Sequence, residues 1–373
     1  MKEINIAQVL VNKRKEKEIT QDALAAYIGV SKASVSKWET GQSYPDVTFL
    51  PQLAAYFNIT IDELMDYRPQ MYKEDIRKLY LRLSSDFASR PFDSVIDECR
   101  QIIKKYFSCF PLLLQMGILI VNHSMLASNK DQALLLLREV NELFQRIKQE
   151  SDEVETVKVA LYMEALCHIS LGEPQKALEL LQGSDSPKYP PEVLLASAYQ
   201  MTGQVEEAKR TLQVGIYQNI VVLFNFFPSY LSLCLDNPQR YEQILQRAFA
   251  VAEAFDLRHL HPVLLVGLQL TGAQGYMAQE KPDKALDLLQ DYTDTVTSHI
   301  YPLHLHGDDF FDLLGPWLSE LDLGSEMPRN EKTVRQSITD MVIKNPAFSP
   351  LTNERSFQRL TQKLLDYCEK NNV

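Results

Sequence analysis

Glycine is scarce in this chain, thirteen among 373 residues, about half the usual share of roughly 7%. Sheet-rich folds place glycine at turns and bulges, so the shortage favours helices joined by short loops. Cysteine is also sparse. Cys99, Cys109, Cys167, Cys234 and Cys368 are odd in number and widely scattered, without the close spacing of a zinc site or a disulfide framework, and a reducing cytoplasm is the implied location. No run of about 18 apolar residues is present, which predicts no bilayer span. The opening MKEINIAQVLVNKRKEKE lacks the apolar core and cleavage site of a signal peptide. Basic residues are outnumbered 38 to 49, a net charge of -11. That excludes a protein coating nucleic acid over its whole surface, though not one with a small local binding face.

Catalytic patterns are missing as well: no glycine-rich phosphate loop, no activated serine and no pair of carboxylates at a useful spacing. The chain is therefore expected to be no enzyme and to use no cofactor. HLHGDDFF (His304–Phe311), with His299 nearby, has the chemistry for a metal. The Gly-Asp-Asp that follows is instead expected to cap a helix through Asp308 or Asp309, and no metal site is assigned. His168, His259 and His261 are expected on helix surfaces or ends, without partners.

The length exceeds one compact core, so two or more domains are expected. In the first, a 3.6-residue period predicts a helix over about Ile6–Lys17. Thr20 reads as the N-cap of QDALAAYIG, Gly29 as its left-handed stop, and Ser31 as the N-cap of KASVSKWET, which Gly41 ends. A fourth helix runs through FLPQLAAYF with Pro51 in its first turn, and IDELM follows Thr60 as a fifth. Leu24, Ile28, Val35, Trp38, Leu50, Leu53 and Phe57 can converge into a small core.

Two short helices meeting across a glycine-bearing turn form a helix-turn-helix. The string T-Q-x-x-L-A-x-x-I-G-V-S-x-x-x-V-S-K-W-E-x-G, then P-D-x-x-x-L-x-x-L-A-x-x-F-x-I-T-x-D-x-L, over Ile4 to Tyr67, resembles the lambda-repressor-like, xenobiotic-response-element type. The resemblance implies an Arg14–Glu39 ion pair linking the first helix to the recognition helix, and a phosphate contact from the Gln21 amide. A recognition helix enters the major groove with its N-terminal half, which here carries Lys32, Ala33, Ser36 and Lys37. Residues 1–67 hold seven bases against nine acids, so one copy would bind weakly and a homodimer on a palindromic operator is expected.

DYRPQMYKED reads as a linker, assigned to 68–75. Beyond it, over 76–373, helix follows helix. Leu161–Gln182, Glu192–Gln213 and Leu268–Gln290 share one grammar, with small residues twelve apart at Ala165/Ala177, Ala196/Ala208 and Ala273/Ala285. Weaker copies are read at Tyr80–Tyr106, Leu112–Phe144 and Val222–Ala252, the last with Ser229 and Tyr241 in those slots. This resembles the tetratricopeptide repeat. PRNEKTVRQ reads as an exposed loop, and the tail as a capping helix. The fold class expected is all-α: a five-helix helix-turn-helix domain followed by a TPR-like α-solenoid. Inward positions in this grammar fall at Tyr80/Ser84, Ile118/Asn122, Tyr162/Leu166, Val193/Ser197, Phe226/Tyr230 and Leu270/Gln274. Of these, Tyr80, Asn122, Tyr162, Phe226, Tyr230 and Gln274 are the candidate contacts to an extended peptide, rings for its side chains and amides for its backbone.

The combined architecture resembles the peptide-pheromone-sensing regulators of Gram-positive bacteria and their phages, the Rgg, PlcR and PrgX (RRNPP) group. That resemblance implies a cytoplasmic transcription regulator with three partners: a double-stranded DNA operator, a short signalling peptide and a second copy of itself. The alternative is a DNA-binding scaffold whose repeats hold a protein partner.

Overall fold

The computed structural model describes residues 5–66, 70–182, 191–298 and 300–370. Tyr67, Arg68 and Pro69 of the expected domain end and linker, and His299, lie outside the described residues. The described residues are all-α, 75% of them helical. Among the described residues there is no β-strand, and His304 pairs with Glu326 in one isolated antiparallel bridge.

The first body holds α1 (Ile6–Glu16), α2 (Gln21–Ile28), α3 (Lys32–Glu39), α4 (Leu50–Phe57) and α5 (Ile61–Leu64). Their ends follow from side-chain chemistry. Thr20 and Ser31 each accept a hydrogen bond from the backbone N–H three residues on, at 3.1 Å. Thr60 does the same within a capping box, where Glu63 accepts in return from the Thr60 N–H at 2.8 Å. Gly29, at φ +81°, turns the chain between α2 and α3, a left-handed conformation in which a Cβ would clash with the following carbonyl. Pro51 sits in the first turn of α4, where its missing N–H costs nothing. Leu10, Leu24, Val35, Leu53 and Leu64 are fully buried, and Ile28, Trp38 and Phe57 nearly so. Leu50 packs at the rim, half-buried.

The rest comprises α6 (Lys73–Asp86), α7 (Phe92–Lys105), α8 (Phe110–His123), α9 (Lys130–Glu150), α10 (Val154–Ser170), α11 (Pro174–Leu181), α12 (Pro191–Met201), α13 (Val205–Leu233), α14 (Pro238–Ala254), α15 (Leu257–Leu260), α16 (Pro262–Ala278), α17 (Pro282–Val296), α18 (Gly315–Glu320), α19 (Glu331–Ile343) and α20 (Arg355–Lys370). The first of these starts at Lys73, inside the span assigned to the linker. The three alanine pairs lie where α10 meets α11, α12 meets α13 and α16 meets α17, all at most 7% exposed. Small side chains at those crossings let antiparallel helices approach closely. α20 buries Phe357, Leu360, Leu364 and Cys368 along one stripe and leaves its other faces polar apart from Leu365.

Three features differ from expectation. The segment between Gln213 and Val222 does not break, so the second helix of one repeat and the first of the next fuse into the 29-residue α13. The turn-prone residues of VGIYQNIV are Gly215, whose missing Cβ leaves room for the Glu192 side chain 3.3 Å away, and Asn219, whose Nδ2 donates to the Gly215 carbonyl at 2.8 Å within the helix. By length and composition α13 could cross a membrane, and only 22% of its most apolar stretch is buried. Ser229 is exposed rather than seated in a helix crossing, whereas Tyr241 fills its slot completely and donates to the carbonyls of Thr271 and Gly272 at 3.0 Å. Glycines across from it make that possible: a Cβ on Gly275 would lie 2.0 Å from the Tyr241 hydroxyl. PRNEKTVRQ is no exposed loop. Its second half opens α19, and Arg335, 7% exposed, lies over the Tyr301 ring and donates to Glu331 at 2.8 Å.

Candidate nucleic-acid interface and peptide face

In α3 the residues that anchor the helix and those that face outward are cleanly divided. Val35 and Trp38 point into the core. Lys32, Ala33 and Lys37 are exposed and Ser36 is half-buried. The far end of the helix is fixed by a fork. Arg14 Nε and Nη2 donate to the two carboxylate oxygens of Glu39 at 2.6 and 3.0 Å, while Arg14 Nη1 donates to the Ile19 carbonyl at 2.9 Å. The Arg14 and Glu39 side chains are 15% and 4% exposed, so water competes little for these bonds. Burial pushes the Glu39 carboxyl upward, but the hydrogen bonds from Arg14 and Gln21 outweigh it and hold the group below its ordinary value. The hydrogen bond to Glu39 raises Arg14 in turn.

Gln21, expected at a phosphate, directs its amide N–H to Glu39 Oε2 at 2.9 Å. It braces the recognition helix from within. Lys32, expected at a base edge, carries an exposed ion pair to Asp22 at 2.7 Å. Nothing in the sequence pattern distinguishes that aspartate from the other acids of the segment. The Lys17 ammonium donates to the Tyr56 carbonyl at 2.5 Å and sits 4.7 Å from the Tyr56 ring. Lys13 pairs with Glu16 at 2.8 Å.

The six candidate peptide contacts divide. Tyr80 is fully buried, and its hydroxyl accepts from Asn122 Nδ2 at 3.1 Å; burial pushes its pKa up to about 12. A ring enclosed on every side meets no ligand, so Tyr80 belongs to the core and Asn122 serves to satisfy it. Tyr162, Phe226 and Tyr230 are exposed by 62, 64 and 47%, and Gln274 is half-buried. An apolar cavity of about 490 Å³ lies beside α12 and α13, walled by Val193, Leu212, Ile216, Ile220, Leu223, Val251 and Phe255 with Asn219 and Glu192 at its polar edge. Val193 is the inward position that reaches it.

The histidines are more engaged than expected. His168, 4% exposed, bonds Glu173 through Nδ1 at 2.8 Å, and His259 bonds Asp256 at 2.7 Å. His261 is pushed down to about 4 by burial. Asp308 accepts from the backbone of Phe310 and Phe311 at 2.9 and 2.8 Å, capping a turn rather than a helix. Among the described residues no three His, Cys, Asp or Glu side chains gather as a metal site would.

Residues 10–64 match the helix-turn-helix family model. Over 52 residues the chain is 42% identical to the HTH-type transcriptional activator BcrR of Enterococcus faecalis, covering 14% of this chain and 26% of that protein. The chain thus spans about a quarter of that relative. Among solved structures, PlcR of Bacillus thuringiensis in complex with the peptide PapR7 and DNA aligns over 99% of this chain and 96% of that one, at 12% identity and a TM-score of 0.28. The apo form of ComR from S. thermophilus aligns over 79% and 94%, at 14% identity and a TM-score of 0.25. Residues 10–64 of this chain are a helix-turn-helix domain, joined to a long helical body.

Proposed function

We propose that this chain is a sequence-specific DNA-binding transcription regulator of the cytoplasm, working as a homodimer whose helical body senses a short signalling peptide. The domain division is 1–67 for DNA, 68–75 as linker, with its last residues already in α6, and 76–373 for ligand binding and dimerisation. The observation that carries the DNA half is the outward face of α3. Lys32, Ala33, Ser36 and Lys37 stand together on a helix whose axis is fixed by Arg14, Glu39 and Gln21. Lysine can donate to guanine O6 and N7, alanine can meet a thymine methyl, and serine bonds either kind of edge. The peptide half rests on Tyr162, Phe226 and Tyr230, large rings left in water, and on the apolar cavity beside α13, which together suit extended side chains.

Selection of bound duplexes from a random library with the full chain tests the first half. Recovery of one motif with two half-sites about 34–36 Å apart, or a multiple of that, is the expected result; recovery of no motif refutes it. Phe226→Ala tests the second: operator binding persists while the response to short apolar peptides declines. An unchanged response moves the peptide elsewhere.

A further inference from the structure

The inner face of α6 and α8 is already occupied, by the chain itself. Arg77 Nε donates to the Asp322 carbonyl at 2.9 Å, and its Nη2 to the carbonyls of Ser319, at 2.8 Å, and Leu321. Lys73 Nζ reaches the Glu320 carbonyl at 2.5 Å and the Asp322 carboxylate at 3.2 Å, and Gln115 Nε2 donates to the other oxygen of that carboxylate at 2.9 Å. Ser84, expected on the groove wall, donates to the Pro328 carbonyl at 3.0 Å. Leu323 packs against the apolar cluster built by α6 to α10. Gly324, at φ +63°, turns the segment, and a Cβ there would meet the Arg77 guanidinium at 3.4 Å.

Capping the last carbonyls of α18 would account for three of these bonds. It leaves unexplained the Asp322 carbonyl, the two donors converging on its carboxylate, and the Pro328 carbonyl. Side-chain donors taking the carbonyls of a helix end and of the turn after it, with one carboxylate picked out by a lysine and an amide, make a polar site shaped to that turn. The contacts come from residues more than 200 positions away. The Lys73 and Asp322 side chains are 56% and 59% exposed, so the hold is open to competition from solvent and solute.

We propose that Ser319–Arg329 is a built-in pseudo-ligand, and that Lys73, Arg77, Ser84 and Gln115 form a binding site for a peptide carrying an aspartate, which replaces this segment when it binds. The inference adds a second peptide site to the helical body, made of residues other than those that carry the function proposed above, and does not rest on that reading.

The test uses full-length protein and a fluorescein-labelled synthetic peptide of sequence Ser319–Arg329, followed by anisotropy. In the wild type the tethered copy competes at an effective concentration of order millimolar, so the probe binds weakly. Asp322→Asn in the protein loosens the tethered copy and leaves the site intact; the probe then binds at least tenfold more tightly. Arg77→Gln added to that variant removes the gain, and Lys73→Gln, at a solvent-exposed position that the fold tolerates, reduces it. A probe with its own aspartate changed to asparagine gains nothing. Equal affinity for wild type and Asp322→Asn overturns the proposal, as does a gain that survives both Arg77→Gln and Lys73→Gln.

Discussion

Arg14→Ala is the perturbation that most directly probes how α3 is held. In the folded domain Glu39 is 4% exposed and receives two bonds from Arg14 and one from Gln21. Removing the arginine leaves a buried carboxylate with a single neutral donor. Breaking a buried pair from one side costs about 3–5 kcal/mol, most of it the stranded charge, and the bond from Gln21 places the expected loss at the lower end, roughly 3 kcal/mol. A domain of about 60 residues has only ~3–9 kcal/mol in total, so the variant sits near its unfolding threshold. Two tryptophans are present, Trp38 in this core and Trp317 in the helical body. Trp38 fluorescence in a Trp317→Phe background therefore isolates the domain. With a slope of about 1.5–2 kcal/mol/M in urea, the midpoint falls by roughly 1.5–2 M. Arg14→Met with Glu39→Leu, which removes both charges, recovers most of the loss. Glu39 is held below its ordinary value, so its contribution is complete above that value and disappears as pH falls through the folded one. Wild type and Arg14→Ala converge in acid below about pH 4. A loss under about 0.5 kcal/mol, typical of an exposed pair, or a double variant as unstable as the single one, refutes the argument.

Lys32→Ala weakens binding to the preferred operator by roughly 1–3 kcal/mol with little effect on random duplex; Asp22→Asn, which frees Lys32 from its partner at 2.7 Å, strengthens binding, and a band-shift titration reads both. Gly275→Ala sets a methyl against the Tyr241 hydroxyl, 2.0 Å from the position a Cβ would take, and overpacking of this kind costs typically 1–3 kcal/mol; a lowered melting temperature with unchanged operator affinity is the expected outcome. His123 is fully buried, stacked on Phe87, and burial pushes it down to about 4. The unfolded ring takes its proton near pH 6.5, so stability falls as pH is lowered from about 6.5 to 4, by up to roughly 3 kcal/mol. His123→Gln flattens that limb of a urea midpoint against pH profile.

The first domain was legible because each of its boundaries is written in a residue type: Thr20, Ser31 and Thr60 as caps, Gly29 as a left-handed stop, Pro51 at a helix start. Local chemistry decides such features, and a short chain of local decisions places α3. The alanine pairs were legible for a related reason, since only a small side chain fits a close crossing. What the local pattern did not carry was set by residues distant in sequence. Tyr80 has the spacing of a groove residue, but Asn122 and the neighbouring helices enclose it. Ser84 has the same spacing, and its partner, a carbonyl some 244 positions away, is invisible to the repeat pattern. The Gln21 amide bonds Glu39, a carboxylate 18 residues on, a contact that the spacing alone does not announce. The uninterrupted α13 shows the other limit: repeat grammar predicts a turn by analogy, and here the helix runs on through both Gly215 and Pro228.

Electrostatics decides whether one head suffices on DNA. Of the seven bases before Tyr67, Arg14 is committed to Glu39, Lys13 to Glu16 and Lys17 to Tyr56. On the recognition helix Lys37 and Lys32 are placed to neutralise charge near the groove, Lys32 once a phosphate displaces Asp22 from their exposed 2.7 Å pair. Each phosphate neutralised contributes about -0.9 to the slope of log K against log salt. One head with two such lysines gives a slope of about -2, too shallow for tight binding in a chain of net charge -11. Two heads on one duplex give about -4, and the second adds its contacts at the effective concentration set by the dimer. Titrating a two-half-site duplex between 50 and 200 mM salt distinguishes the cases. A slope near -4 that falls to about -2 on a single half-site supports paired heads; a slope near -2 on both duplexes refutes them.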